Sequence, residues 1–349
     1  MKTTPISTLG IANSTRLSMV KAQNALAKAS EELSSGRFAD VGLALGARTG
    51  QSVELRQELA RIETILDTNG LVAARLDTSQ AALSNIQGIA EDFLGVLIAV
   101  RENPQAADVV APQAELNLKS LFGSLNANLN GQYLFAGINT DVEPLADYRG
   151  PPASAAKAAV DAAFAGFFGF GQGDPAVAGI TRAQMETFVD TALAPLFADP
   201  QWGATWSTAS DENLSSRVST NEVIATSANA NEQPFRDLAM AYTMLVDLGA
   251  DALPAPAYEA LVERSIGLVG GAMQDVTTIQ ARLGVAQNRV ADASERMSIQ
   301  RDILTGQITD LENVDPYEAA TRVNALMSQV EVSYSLTARI REMSLLRYL

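Results

Sequence analysis

The fold is decided by residues 262–311, which read VERSIGLVGGAMQDVTTIQARLGVAQNRVADASERMSIQRDILTGQITDL. Intervals of four and three residues alternate along this stretch, the heptad pattern of a helix that packs along a second helix. The apolar members of the series are Val262, Ile266, Val269, Met273, Val276, Leu283, Val290, Met297, Leu304, Ile308 and Leu311. Its polar members either set the register of the pairing or lie where the seam leaves its partner. They are Gln280, Gln287, Ser294 and Arg301.

A second seam occupies residues 52–101 and predicts a long helix in the first half of the chain. Its members are Leu55, Leu59, Ile62, Leu66, Asn69, Ala73, Leu76, Leu83, Ile86, Ala90, Phe93, Leu97 and Val100. Fifty helical residues would span about 75 Å, which predicts a rod rather than a compact domain. A break at Asn103-Pro104 and Pro112 then precedes a helix with Leu118, Leu121, Leu125 and Leu129 on one side, so we expect the chain to fold back.

Both ends of the chain predict amphipathic helices that cannot bury their apolar stripes alone. The first helix ends at Ser34-Ser35-Gly36, and the last begins at Asp315-Pro316-Tyr317-Glu318, with Asp315 as cap and Glu318 reaching back as in a capping box. We expect the stripes to pair with one another or with neighbouring copies. Packing on assembly is favoured over an ordinary intrachain bundle, because small Ala residues suit close helix approach. The candidate assembly interface is Ala12, Met19, Ala22, Leu26, Leu33, Val323, Met327, Val330, Tyr334, Ile340 and Leu346.

Residues 138–233 differ in composition, being rich in Gly, Ala, Pro, Ser and Thr and containing both Trp residues of the chain. Turn signals such as Gly150-Pro151-Pro152 predict a small inserted domain of α/β or β-rich character. Its cluster of Phe residues at 164–170 is expected to form a core rather than an exposed patch. The chain is therefore predicted to be mainly α, an elongated antiparallel helical bundle or coiled coil built from its N- and C-terminal halves. The predicted segments are 1–40 (N-terminal assembly helix), 41–137 (rod), 138–233 (insert), 234–314 (rod) and 315–349 (C-terminal assembly helix).

Composition excludes much catalytic chemistry. The 349 residues include no His and no Cys, so a Ser-His-Asp triad, a Cys nucleophile and imidazole or thiolate metal ligands are ruled out. A formal charge of -15 argues against nucleic-acid and anionic-membrane partners, which are bound by Lys and Arg. We expect no catalysis, no cofactor, no membrane span and no cleaved signal peptide.

Three motifs carry a resemblance to a known family. They are Glu31-Glu32-Leu33-Ser34-Ser35-Gly36-Arg37, the tract Asn130-Gly131-Gln132-Tyr133-Leu134-Phe135-Ala136-Gly137, and the ending Ser344-Leu345-Leu346-Arg347-Tyr348-Leu349. Together with the heptad helices, they resemble the bacterial flagellin family, and the second and third look like the members that join hook to filament. Family members commonly have an Asp-Asp-rich segment after the position of Arg37, whereas residues 38–46 here read FADVGLALG, with several apolar residues.

The resemblance implies an extracellular structural subunit of the flagellum, exported by the flagellar type III apparatus and assembled in a ring between hook and filament. The implied partners are other copies of the chain, a neighbouring hook-associated protein, flagellin and an export chaperone. One alternative is a filament flagellin that polymerises along the whole filament. A second is a type III secreted interaction protein, which would need the insert to bind a partner.

Overall fold

A computed structural model describes residues 8–101, 107–150 and 153–342, and in these residues the chain is mainly helical, as predicted. The α-helices of the described residues are α1 (Thr8–Ser35), α2 (Val41–Leu45), α3 (Thr49–Val100), α4 (Ala107–Leu125), α5 (Ala155–Phe168), α6 (Arg182–Phe188), α7 (Gln201–Thr205), α8 (Gln233–Asp247), α9 (Ala255–Glu312) and α10 (Pro316–Glu342). Short 3-10 turns occupy Gly46–Arg48, Pro175–Gly179 and Ala194–Phe197, and a π-helical turn occupies Val189–Leu193.

Two small antiparallel hairpins accompany the helices. Strand β1 (Asn128–Leu129) pairs with β2 (Gln132–Tyr133), and β3 (Ser215–Ser219) pairs with β4 (Glu222–Ala225). The first hairpin turns at Asn130-Gly131, where φ is 54° and 81°. Positive φ at both central residues is the requirement of a type I′ turn, which Asn-Gly meets at low cost.

The chain divides into two compact units, and each is described by itself. The terminal unit comprises the described residues of 1–63 and 298–349, and the central unit comprises those of 64–297. In the terminal unit, α1 packs along α10. In the central unit, α4 packs against α8. The later part of α3 runs antiparallel to the earlier part of α9, because Asn69 bonds to Ser294 and Gln80 bonds to Gln280. The five segments predicted from the sequence (1–40, 41–137, 138–233, 234–314 and 315–349) are not tested by this division and stay a prediction.

The core of the central unit contains the predicted seams. Leu76, Leu83 and Leu97 of α3 have no exposed surface, and Val269 and Leu283 of α9 are equally buried. The heptad spacing predicted these positions because alternating steps of three and four residues place one residue of every turn against the partner helix.

Aromatic residues of the insert belong to the same core. Trp202 and Trp206 stack with ring centroids 5.5 Å apart, and Tyr148 stacks on Trp206 at 5.2 Å. Phe122 of α4 meets the Trp206 ring edge to face at 6.2 Å. These contacts continue the helical core into residues 138–233.

The Phe cluster of the insert is partly buried and partly exposed. Phe164 and Phe188 have no exposed surface and lie 5.5 Å apart, so Phe164 occupies the core as predicted. Phe167 remains 39% exposed. The prediction of a buried cluster therefore holds for Phe164, and it is wrong for Phe167, although the Phe167 ring also lies 5.5 Å from that of Phe188.

Two predictions around α4 are wrong. Pro112 lies inside the helix rather than in a break, because burial of Val110 and Ala114 on either side outweighs one lost backbone hydrogen bond. The helix ends at Leu125, and Leu129 belongs to β1 rather than to the helical stripe. The Asn130-Gly131 turn accounts for this, since it forces the preceding residues into an extended hairpin arm.

The start of α10 agrees only in part with the predicted capping box. Asp315 Oδ1 accepts a hydrogen bond from the Tyr317 amide at 2.8 Å, which confirms the cap. Glu318 accepts from Arg322 Nη2 at 2.7 Å, four residues along the helix, instead of reaching back to the cap. The guanidinium is the stronger partner because it brings an opposite charge.

The helical stretch Val41–Val100 is long and apolar enough to cross a membrane by length and composition alone. Within it, Leu83, Ile86 and Phe93 are buried in the core of the central unit. Burial against other helices gives a core helix the same apolar content as a membrane span. The absence of a membrane partner stays a prediction.

Candidate functional site: the terminal helix pair

Helices α1 and α10 form an antiparallel pair in the terminal unit. Gln23 Nε2 donates to the Tyr334 hydroxyl at 2.7 Å, and Arg322 Nη1 donates to Glu32 Oε2 at 3.0 Å. The later residue of α1 therefore pairs with the earlier residue of α10. The two ends of the chain thus meet along one seam.

The predicted interface residues fall into two groups by exposure. Ala22 is buried, and Met19, Leu26, Val323 and Val330 are half-buried. The exposed group comprises Leu33 (41% exposed), Met327 (48%) and Tyr334 (54%). Leu346 lies outside the described residues, and only the helical backbone is described at Ala12 and Ile340.

Further apolar side chains of the pair are exposed that the sequence analysis did not include. Leu17 and Val20 on α1, and Val332 and Leu336 on α10, are all exposed. Among the α10 residues whose side chains are described, Ala319 alone is buried. Two helices can bury only one stripe each, so the pair presents apolar surface on further faces. A surface of this kind is suited to burial against another protein surface.

The Ser-Ser-Gly-Arg motif forms a link between α1 and the rest of the terminal unit. Gly36 has φ of +72°, a left-handed conformation that ends the helix. Arg37 then pairs with Asn313 as an isolated antiparallel bridge, and the Val314 amide donates to the Gly36 carbonyl at 2.9 Å. The two links, residues 36–40 and 313–315, are therefore hydrogen-bonded to each other at the place where α1 ends and α10 begins.

Glu312 is a charged residue of this region that sequence reasoning missed. Its side chain is wholly buried, and it accepts hydrogen bonds from Ser52 Oγ at 2.6 Å and Arg56 Nε at 2.8 Å. The hydrogen bonds from the Arg56 guanidinium keep the pKa of the Glu312 carboxyl below its usual range. From sequence alone, a glutamate at the end of a heptad helix in an acidic chain is expected to be exposed to solvent. Ser52 and Arg56 are so far from Glu312 in sequence that no residue spacing predicts their contact.

The polar seam residues of the central unit pair across the helices. Gln280 Nε2 donates to Ser84 Oγ at 3.2 Å, and Gln287 Nε2 donates to Asp77 Oδ1 at 2.6 Å. Asn69 Nδ2 donates to Ser294 Oγ at 3.1 Å. The structure therefore favours the register-setting interpretation for Gln280, Gln287 and Ser294, because the side chain of each hydrogen-bonds to the facing helix.

Arg301, the remaining polar member of the series, belongs to the terminal unit. Its Nη2 donates to Ser298 Oγ at 3.1 Å and to Asp302 Oδ1 at 2.8 Å, both on its own helix. It is half-buried. These partners fit the second interpretation, in which the seam leaves its partner.

A charged cluster of the central unit surrounds Asp247, which is 7% exposed. The Tyr148 hydroxyl donates to Asp247 Oδ2, Arg149 Nη2 lies 3.0 Å from Oδ1, and Lys157 Nζ lies 3.2 Å from Oδ2. Burial, reinforced by the Asp247 charge, raises the pKa of the Tyr148 hydroxyl far above its usual value. Arg149 and Lys157 pair with Asp247 as opposite charges, which is the arrangement of a structural network. Over the described ranges, no group of three or more acidic side chains could hold a metal ion.

The fold defines a class of protein: it is mainly helical, and the first and last helices of the described residues pair with each other. The chain matches the family model of the bacterial flagellin N-terminal helical region over residues 6–140 and that of the bacterial flagellin C-terminal helical region over residues 266–349. It belongs to the bacterial flagellin family. No curated protein sequence matches it.

Ten solved protein chains resemble this one. Among them is a structure described as that of a flagellar hook-associated protein from Vibrio parahaemolyticus, with a TM-score of 0.52 and 12% sequence identity. The likeness covers 76% of this chain and 97% of that chain. At this identity it supports the fold. Membership of the family identifies the protein as a structural component of the flagellum.

Proposed function

We propose that this protein joins the flagellar hook to the filament, packing laterally with copies of itself and axially with a neighbouring hook-associated protein and with flagellin. The observation that carries the proposal is the apolar surface that α1 and α10 leave exposed after pairing with each other. A filament flagellin would also need such a surface. The tract Gly131–Gly137 and the ending Leu346-Arg347-Tyr348-Leu349 favour the junction, because they resemble members that join hook to filament.

The proposal includes a route and a location. The subunit is exported through the flagellar type III apparatus, is held by an export chaperone before assembly, and acts outside the cell. It catalyses no reaction. Family membership supports the extracellular location, since flagellar filament proteins are extracellular.

We assign the two groups of interface residues different parts in assembly. Met19, Ala22, Leu26, Val323 and Val330 hold the α1–α10 pair together, since each is buried or half-buried. The exposed group, Leu33, Met327 and Tyr334, contacts neighbouring subunits. Ala12, Ile340 and Leu346 continue the same stripes toward the chain ends.

The Met327→Lys variant tests this assignment. Met327 is 48% exposed, so the substitution should leave the folding of the subunit unchanged while placing a charge at the subunit contact. We expect the amount of protein on isolated flagella to fall by about tenfold or more. The matched control is Gln329→Lys, an exposed position two residues away that faces another side of α10. Equal incorporation of both variants would remove Met327 from the interface.

Antibody labelling of intact flagella, viewed by electron microscopy with hook and filament both in the field, tests the function itself. We expect one band of label where the hook meets the filament. Label along the whole filament would instead identify a filament flagellin. Absence of label from flagella would favour a secreted interaction protein.

A further inference from the structure

Glu312 connects three segments of the terminal unit. Its side chain bonds to Ser52 and Arg56 in the first turns of α3, and its backbone carbonyl accepts from the Phe38 amide at 3.0 Å. Phe38 lies in the link that follows α1, and Glu312 itself is the last residue of α9, directly before the link to α10. One residue thus contacts the start of α3 and both links.

The links depend on each other as well as on Glu312. The Arg37–Asn313 bridge and the bond from the Val314 amide to the Gly36 carbonyl join them directly. A second acid, Glu32, accepts from the Ala39 amide at 3.3 Å and from Arg322 at 3.0 Å. Both covalent connections to the α1–α10 pair, residues 36–40 and 313–315, therefore pass through this small hydrogen-bonded region.

A buried carboxylate restricts the geometry around it. The Glu312 side chain has no exposed surface, so Ser52 and Arg56 rather than water solvate its carboxylate, while the Arg56 side chain is itself 51% exposed. Any shift of residue 312 away from α3 breaks the charge-assisted pair with Arg56 and the Ser52 hydrogen bond together, which is unfavourable. Apolar packing would tolerate a sliding contact, whereas this bidentate pair does not.

We propose that Glu312 is a positioning residue for assembly, which fixes both links to the start of α3 and so sets the direction in which the α1–α10 pair leaves them. The proposal rests on the proposed function in one respect, namely that this pair is the assembling surface. Glu312 contacts no neighbouring subunit in this role. It acts on assembly through the links.

The first experiment measures hydrogen exchange of the purified full-length chain at the Phe38 and Val314 amides. In Glu312→Gln, which keeps the shape but removes the charge, we expect both amides to exchange about tenfold faster or more. Amides of the central unit should be unchanged. The matched control is Glu58→Gln, whose carboxylate lies 3.9 Å from Arg61 on the surface of α3. Unchanged exchange at both link amides in Glu312→Gln would overturn the proposal.

A comparison of Arg56→Gln with the double variant Arg56→Gln/Glu312→Gln separates the charge from simple packing. Removing Arg56 alone leaves the buried carboxylate without its cation, so exchange at the link amides should be faster in the single variant than in the double variant. A packing role would make the double variant the worse of the two, and that result would contradict the proposal. Ser52→Ala, which removes one hydrogen bond, provides a milder variant if the others fail to fold.

The second experiment counts labelled subunits on flagella of cells that express each variant. Glu312→Gln should be reduced by about tenfold relative to Glu58→Gln, with partial recovery in the double variant. Altered link amides with normal incorporation would overturn the positioning role. Failure of the proposed function is seen separately, as absence of the wild-type chain from the junction, and it leaves the exchange experiment interpretable.

Discussion

Arg236 of α8 is a buried cation whose partners lie in different parts of the central unit. Its Nε donates to the Asn231 carbonyl at 2.6 Å, its Nη1 donates to Asp199 Oδ2 at 2.9 Å, and its guanidinium lies 5.8 Å from the Trp202 ring centroid. Arg236→Met should lower the free energy of unfolding by about 2–4 kcal/mol, because it removes these bonds and leaves the buried Asn231 carbonyl unpaired. Urea unfolding followed by Trp fluorescence measures the loss.

The control for Arg236 is Arg264→Met. Arg264 pairs with Asp190 at 3.2 Å, and both side chains are about half exposed or more. Exposed pairs contribute roughly 0–1 kcal/mol, so this variant should unfold close to wild type. A similar loss in the two variants would show that burial is not what makes Arg236 important.

Three buried tyrosines of the central unit predict that the free energy of unfolding falls at alkaline pH. Burial raises the pKa of Tyr148, Tyr242 and Tyr258 above the usual value of tyrosine. The folded state therefore keeps protons that the unfolded state loses above about pH 10, so stability is fully present below that pH and falls as pH rises. If all three titrate only on unfolding, the free energy of unfolding should fall by about 4 kcal/mol per pH unit.

The Tyr148→Phe variant measures how much one tyrosine contributes to the pH dependence of the free energy of unfolding. The slope above about pH 10 should become shallower by about 1.4 kcal/mol per pH unit, because one proton fewer is released on unfolding. Urea midpoints across this pH range, converted with the measured m-value, give the slope for both chains. An unchanged slope in Tyr148→Phe would mean that its hydroxyl titrates normally in the folded state.

At the residue scale, heptad periodicity predicted which apolar side chains are buried, but it did not predict which charged side chains pair with each other. Leu76, Leu83 and Val290 lie in the seams because spacing alone places them on one face of a helix. Glu312 and Arg236 could not be found in this way, because their partners are brought close only by the tertiary fold. A single sequence contains no local signal for such pairs.

At the scale of the element, α3 has a buried face and an exposed face that can be compared directly. Leu83 has no exposed surface, whereas Leu71 is 48% exposed on the same helix and in the same unit. Leu83→Ala should lower the free energy of unfolding by about 2–5 kcal/mol through lost burial and a cavity. Leu71→Ala should change it by about 0.5 kcal/mol or less. Equal effects in denaturant unfolding would contradict the assignment of faces.

Element boundaries were predictable where local chemistry sets them. Ser35-Gly36 ends α1 through a left-handed glycine, and Asp315 begins α10 through its side-chain cap. Composition was less informative in residues 138–233, where it predicted an α/β or β-rich domain and the described residues form several short helices with the β3–β4 hairpin. The aromatic contacts of Trp206 with Phe122 and Tyr148 join distant parts of the chain, and only the fold reveals them.

At the scale of the whole molecule, the two units differ in how their side chains are buried. The central unit has a continuous core, whereas α10 of the terminal unit has Ala319 as its one buried residue among those whose side chains are described. Local stability follows buried apolar contact, so we expect the terminal helices to unfold before the central unit. Both Trp residues belong to the central unit, so Trp fluorescence reports that unit, while far-UV circular dichroism reports helix throughout.

These two probes should therefore give different urea transitions for the wild-type chain, with loss of circular dichroism beginning at lower urea. Deletion of residues 316–349 should remove much of this early phase, because α1 then lacks its partner helix, and should leave the fluorescence midpoint unchanged. Deletion of residues 1–33 should do the same from the other side of the pair. Coincident transitions in the wild-type chain would show instead that the terminal helices share the cooperativity of the central core, and assembly would then not be needed to stabilise them.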